Sequence, residues 1–157
     1  MEGKANTPVV RRKAIESVKV KIALGICLVA IIAMLLPCVH FSDEAVSQYR
    51  DIDHNNYTIF EMAKMVDVYI LLGIVQFLGF LLAGVFFFTD HPKLSLVGSI
   101  LALFGSFAVT MSASESSGAG SNVTLWAVLT IVCALALIVF AFITRKANPK
   151  DKSVKAQ

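Results

Sequence analysis

In this 157-residue chain, the side chains best equipped for chemistry fall in one short stretch between two apolar runs. His40, Asp43, Glu44, Asp51, Asp53 and His54 combine hard carboxylate oxygens with borderline imidazole nitrogens. Oxygens of this kind favour Ca²⁺ or Mg²⁺, and imidazoles favour Zn²⁺. Asp51-x-Asp53 begins like an EF-hand loop, but Asn56 stands at the sixth position, where Gly is needed, and Met62 at the twelfth, where Glu is needed. The stretch therefore reads as a solvated acidic loop, open to weak metal or partner contact, with no defined metal centre expected.

Other catalytic arrangements are missing from the pattern. Ser112, Ser114, Ser116, Ser117 and Ser121 include no G-x-S-x-G elbow, and no spacing among His40, His54 and His91 enforces a triad. There is no phosphate loop, H-E-x-x-H, C-x-x-C or dinucleotide fingerprint, so neither an enzyme nor a cofactor is expected. The basic residues sit near the termini without interleaved aromatics, which gives nucleic-acid binding no support. Gln76 is the single strongly polar side chain near the middle of a long apolar run. It can hydrogen-bond to a neighbouring helix or line a pore. No carboxylate lies within the apolar runs, which argues against an ion-coupled transporter but not against a passive pore.

The elements that position these residues are membrane spans. The chain is 57% hydrophobic and 16% charged, with mean hydropathy +0.74, whereas soluble domains carry roughly 25% charged residues. The apolar excess is concentrated in residues 22–41, 68–89, 94–113 and 125–144, each near spanning length. An all-α integral membrane protein follows, an antiparallel four-helix transmembrane bundle without a separate soluble domain. Residues 1–21 form a basic N-terminal segment, 42–67 an acidic loop and 145–157 a basic tail. Lys4, Arg11, Arg12, Lys13, Lys19 and Lys21 precede the first span, and Arg145, Lys146, Lys150, Lys152 and Lys155 follow the fourth. Lys/Arg bias places both termini in the cytoplasm and the acidic loop outside, in a cell membrane.

Within the first span, Pro37 should end the helix near residues 33–36. A cleaved signal peptide is not expected: the apolar run is too long, the basic segment before it is long for an n-region, and Pro37 fits a lipoprotein box before Cys38 badly. Cys27, Cys38 and Cys133 all fall within the spans and read as buried thiols rather than a disulfide framework. Thr58-Ile59-Phe60-Glu61 has the form of a capping box. From there the pattern continues without a stop into the second span. One helix over residues 59–89 would be ~46 Å long against ~30 Å of hydrocarbon, so the second helix should extend beyond the outer surface, tilt or bend.

Small residues mark a packing seam. Gly98, Ala102 and Gly105, beside Ser99 and Ser106, fit close contact with Gly73, Gly79, Ala83 and Gly84 across a tight turn at Asp90-His91-Pro92-Lys93. Residues 112–122, rich in Ser and Gly, read as a flexible outer loop, and Trp126 and Tyr69 sit where amphipathic rings favour the outer interface. Asn56-Tyr57-Thr58 and Asn122-Val123-Thr124 match the N-x-T glycosylation sequon close to the membrane and are taken as chance matches.

Four spans, inner termini and a larger first outer loop resemble the layout of claudin-like and tetraspanin-like proteins. Their marker residues, W…C…C in the first loop and C-C-G in the second, are absent here. The expected function is that of a non-enzymatic interaction protein, an accessory subunit or scaffold acting through helix faces and the acidic loop. Its partners would be the lipid bilayer and another membrane protein or a second copy of itself. The alternative is a small transporter or oligomeric channel lined by Gln76.

Overall fold

A computed structural model of the chain describes residues 8–50, 52–115 and 121–147. Four long helices dominate: α1 (Pro8–Met34), α4 (Val68–Phe88), α5 (Pro92–Glu115) and α6 (Leu125–Ala147). Between α1 and α4 lie strand β1 (Val39–Phe41), helix α2 (Asp43–Gln48), strand β2 (Asn56–Tyr57) and helix α3 (Ile59–Met65); strand β3 (Ser121–Val123) precedes α6. Among the described residues, three helical stretches are long and apolar enough to cross a membrane: Val68–Phe88, Pro92–Ser114 and Leu125–Thr144.

The helices pack in the order their short connections require. α4 and α5 form a hairpin, α6 lies against α5, and α1 borders α4 and α6. Their shared core is built largely from alanines, including Ala23, Ala30, Ala83, Ala102, Ala134 and Ala141, around the rings of Phe80 and Phe87 and the side chain of Leu137. Without water to drive helices together inside a bilayer, small side chains gain contact by letting backbones approach. Large apolar residues such as Leu71, Phe88, Phe104 and Leu125 point outward.

Three expectations from the sequence need correction. The fold is mostly helical but not wholly so, because β1, β2 and β3 form a small antiparallel sheet in the order β2-β1-β3. Val39 pairs with Tyr57 on one side and Val123 on the other, and His40 likewise lies between Asn56 and Asn122. Strands of two or three residues are too short to set up a legible period. The first helix also stops earlier than its apolar run: α1 ends at Met34, within the range expected from Pro37, and residues 35–38 lead into β1. Its apolar part, residues 22–34, covers ~20 Å, and the chain beyond it continues as a strand with Val39 fully buried.

The third correction concerns the second span, which is not an outward extension of one helix. α3 closes at Val66, whose backbone is extended (φ −139°, ψ 112°) and whose N–H donates to the Met62 carbonyl. A new helix starts after Asp67. A straight helix would carry Ile59 and Met62 into water. The break folds α3 back so that both are buried, with Ile59 Cδ1 3.1 Å from where a Cβ on Gly73 would lie. Burial of two such side chains stabilises by ~1.5–3 kcal/mol each, enough to offset one interrupted helical turn.

Candidate functional site

Two regions hold the residues singled out by sequence: the seam between α4 and α5, and a cap over one end of the helices formed by the α1–α4 and α5–α6 connections. In the seam, a Cβ on Gly79 would come 2.3 Å from the Ala102 backbone nitrogen, one on Gly98 2.5 Å from that of Ala83, and one on Gly105 2.7 Å from the Cα of Gln76. These distances are too short for any side chain, so glycine is what lets the two backbones touch at all three levels. Gln76 is buried beside Gly105, and its Nε2 donates to Ser106 Oγ at 3.0 Å; that hydroxyl in turn donates to the Ala102 carbonyl at 2.8 Å. Ser99 is buried in the same way, its hydroxyl donating to the Ser95 carbonyl at 2.8 Å.

Two of the seven seam residues face elsewhere. Gly73 receives Ile59 of α3, and Gly84 lies against α1, where an added Cβ would meet Cys27 Sγ at an ordinary 3.5 Å.

The cap is built by strand-to-helix turns used twice. In Asn56-Tyr57-Thr58, Asn56 faces outward on β2, Tyr57 is buried, and Thr58 caps α3. Thr58 Oγ1 accepts from the Glu61 N–H at 3.3 Å and Glu61 Oε2 accepts from the Thr58 N–H at 2.8 Å, completing the capping box. In Asn122-Val123-Thr124, Asn122 faces outward on β3, Val123 is partly buried, and Thr124 stands immediately before α6. Thr124 Oγ1 donates to the Pro37 carbonyl, tying the start of α6 to the segment that follows α1. Each N-x-T thus places an outward Asn and an inward residue on a strand and a Thr before a helix, whose hydroxyl caps α3 in the first copy and bonds the Pro37 carbonyl in the second.

The acidic residues do not converge. His40 Nδ1 donates to Asn56 Oδ1 at 2.9 Å on the outer face of the sheet. Asp43 Oδ1 accepts from Asn55 Nδ2 at 2.7 Å, and Glu44 Oε1 accepts from Gln48 Nε2 at 3.3 Å within α2. Asp53 and His54 form a separate group around Tyr57. The Tyr57 hydroxyl donates to Asp53 Oδ1 at 2.6 Å and accepts the Asp53 N–H at 2.9 Å, while the His54 ring stacks on the Tyr57 ring at 4.0 Å. His54 Nδ1 donates to Asp53 at 2.5 Å, and its Nε2 is 3.8 Å from Glu61 Oε1. Asp51 lies outside the described residues, as do Ser116 and Ser117. Among the described residues, no group of three or more His, Cys, Asp or Glu is placed to hold a metal ion. Asp43, Glu44 and Asp53 are each held by a different neighbour, so the described part of the acidic loop is a set of local clasps.

Electrostatics follow these contacts. The Tyr57 hydroxyl and then the His54 imidazole hold the Asp53 carboxyl below its ordinary range. The Thr58 N–H and then its hydroxyl do the same for Glu61. Burial, followed by the Asp53 carboxylate, raises Tyr57. Cys38, which lies beyond the first helix rather than in it, is buried beneath the sheet with Sγ 3.5 Å from the Tyr57 carbonyl, and burial pushes its thiol up to about 11.

Sequence reasoning missed all three strands, the short helix α2 and the Thr124–Pro37 tie. The twice-occurring N-x-T before an apolar helix was the available signal. Compared with known proteins, the chain matches no family model, no curated protein and no solved structure.

Proposed function

We propose that this is a non-enzymatic multi-pass membrane protein, an accessory subunit or scaffold that binds another membrane protein through its helix faces and outer cap. In this reading all four long helices cross the bilayer antiparallel, with both termini in the cytoplasm. The closed state of the seam is the observation that carries it. Gln76, the polar group that a pore would need, has only 2% of its surface exposed and is hydrogen-bonded to Ser106, with Gly105 pressed on its backbone. Gln76 is thus committed to the seam rather than to a water-filled path.

The outward surfaces suit contact better. Leu24, Cys27, Leu28, Phe80, Gly84 and Phe88 line an apolar furrow of about 320 Å³ between α1 and α4, looser than the α4–α5 seam. The orientation is supported by geometry and charge together. Lys19, the 89–91 turn and Thr144 meet at the end away from the sheet, and the basic flanks belong on the inner side.

Native mass spectrometry after a mild-detergent pull-down from the source membrane tests the proposal. A stoichiometric second protein is expected. A monomer without partner but with measurable flux or turnover would overturn it, and a clean homo-oligomer that conducts in liposomes would establish the channel alternative instead.

A further inference from the structure

At the end of the molecule opposite the sheet, a cavity of about 250 Å³ opens between α1, the α4–α5 turn and the last turns of α6. Its wall is of two kinds. Phe86 and Pro92 supply apolar surface, whereas Lys19, Asp90 and His91 bring an ammonium, a carboxylate and an imidazole to the same space. Lys19 forms no ion pair among the described residues. A small hydrophilic anion gains nothing from the phenylalanine, and an acyl chain gains nothing from the charges. A headgroup with its glycerol shoulder matches both.

The Asp90 carboxylate narrows the choice. Asp90 has φ 56°, the left-handed region, in the turn that ends α4. The His91 N–H donates to the Phe86 carbonyl at 2.8 Å and the Asp90 N–H to the Phe87 carbonyl at 3.4 Å, the pair of bonds that normally has glycine at this position. Asp is one of the few residues other than glycine that adopt this conformation, and the turn sets Asp90 on the cavity wall. Beside it, His91 Nδ1 lies 2.6 Å from the Thr89 carbonyl. A carbonyl only accepts, so Nδ1 carries the proton and Nε2 of the neutral ring is an acceptor. The cavity thus offers two acceptors, Asp90 and His91 Nε2, and one cationic donor, Lys19. A purely anionic headgroup would be repelled by Asp90, and a quaternary ammonium has no N–H for either acceptor.

We propose that this cavity holds the headgroup of a phosphatidylethanolamine molecule in the cytoplasmic leaflet. Lys19 donates to the phosphate, Asp90 and His91 Nε2 accept from the primary ammonium, and the glycerol end lies against Phe86 and Pro92. The inference rests on the inside orientation given above. It is independent of the accessory-subunit reading, because it concerns the isolated chain.

The test uses the full chain in mild detergent, delipidated and then titrated with phosphatidylethanolamine, phosphatidylcholine or phosphatidylglycerol while native mass spectrometry counts bound lipid. One phosphatidylethanolamine is expected to bind about tenfold more tightly than either competitor, the worth of one charge-assisted hydrogen bond. Lys19→Ala should weaken all three lipids about fivefold. Asp90→Asn keeps a residue that tolerates the left-handed backbone, so folding should survive while the preference over phosphatidylcholine disappears. Equal binding of phosphatidylethanolamine and phosphatidylcholine, or an unchanged preference in Asp90→Asn, would overturn the proposal. Displacement by an equal concentration of soluble phosphoethanolamine would also overturn it, assigning the site to a free phosphoamine rather than a lipid.

Discussion

Gln76 on α4 and Ser106 on α5 join across the helix seam through a 3.0 Å hydrogen bond, at the level where Gly105 leaves no room for a side chain. Ser106 keeps a second partner in the Ala102 carbonyl, so loss of Gln76 would not strand it. Hydrogen bonds between helices in a membrane average ~0.6 kcal/mol. Gln76→Leu is therefore expected to lower unfolding free energy by about 0.5–1 kcal/mol and to leave solute flux in liposomes at background. A variant that alters flux would count for the channel alternative.

The glycines of the seam should be far less tolerant than the glutamine. A methyl on Gly79 or Gly98 would meet backbone atoms of the facing helix at 2.3 or 2.5 Å, and backbone cannot move aside as a side-chain tip can. Gly79→Ala and Gly98→Ala are expected to destabilise by about 1–3 kcal/mol or more, because the helices must separate. Gly25 on α1 has nothing within 4 Å of its Cβ position. Gly25→Ala should be neutral or stabilising by up to about 1 kcal/mol through backbone entropy. Thermal unfolding of the three variants in one detergent decides the ordering.

Acid should loosen the outer cap before the helices. Asp53 and Glu61 both have carboxyls held below their ordinary values, by Tyr57 and His54 in one case and by Thr58 in the other. A depressed folded-state value means the folded state binds fewer protons than the unfolded one. The stabilisation is then complete above the ordinary carboxylate range and disappears as pH falls through the depressed values. The melting temperature is expected to hold between about pH 7 and pH 5 and to fall towards pH 3, with Asp53→Asn and Glu61→Gln each removing part of the decline. A decline of unchanged size in the double variant would place its origin elsewhere.

How much was legible before the structure depends on length scale. Runs near 20 residues without charge declare themselves, and so did Pro37 as a helix stop and Thr58–Glu61 as a helix start, because each acts within a few residues of itself. The pairing of residues 79 with 102 and 83 with 98 follows from a tight turn plus small residues at helical spacing. The break at Val66 was not legible, since nothing in its side chain forbids helix; it arises because Ile59 finds Gly73 only after the chain has folded back. The sheet was hidden for the same reason. Val39 pairs with Tyr57 and Val123, partners that lie far along the chain and in strands too short to announce themselves. The individual partners of Asp43, Glu44 and Asp53 in the acidic loop were not legible either, because they depend on where folding sets Asn55, Gln48 and Tyr57.

The tie between Thr124 and Pro37 gives a way to measure how firmly the cap is closed. Cys38 lies next to Pro37, buried under the sheet, with its thiol pushed up to about 11. At neutral pH a closed cap should make it nearly inert to an impermeant maleimide, since the thiolate is scarce and the sulfur is covered. Thr124→Val removes the hydroxyl that donates to the Pro37 carbonyl and keeps the side-chain shape. A lost hydrogen bond of this kind costs about 0.5–1.5 kcal/mol net, so opening, and with it labelling, should quicken by roughly twofold to tenfold. The measurement is made in a Cys27→Ala, Cys133→Ala background, leaving Cys38 as the single thiol. Fast labelling of the unmodified Thr124 chain at neutral pH would mean that the sheet does not cover Cys38 in solution. Equal slow rates for Thr124 and Val would mean that the β1 pairing alone holds the cap shut.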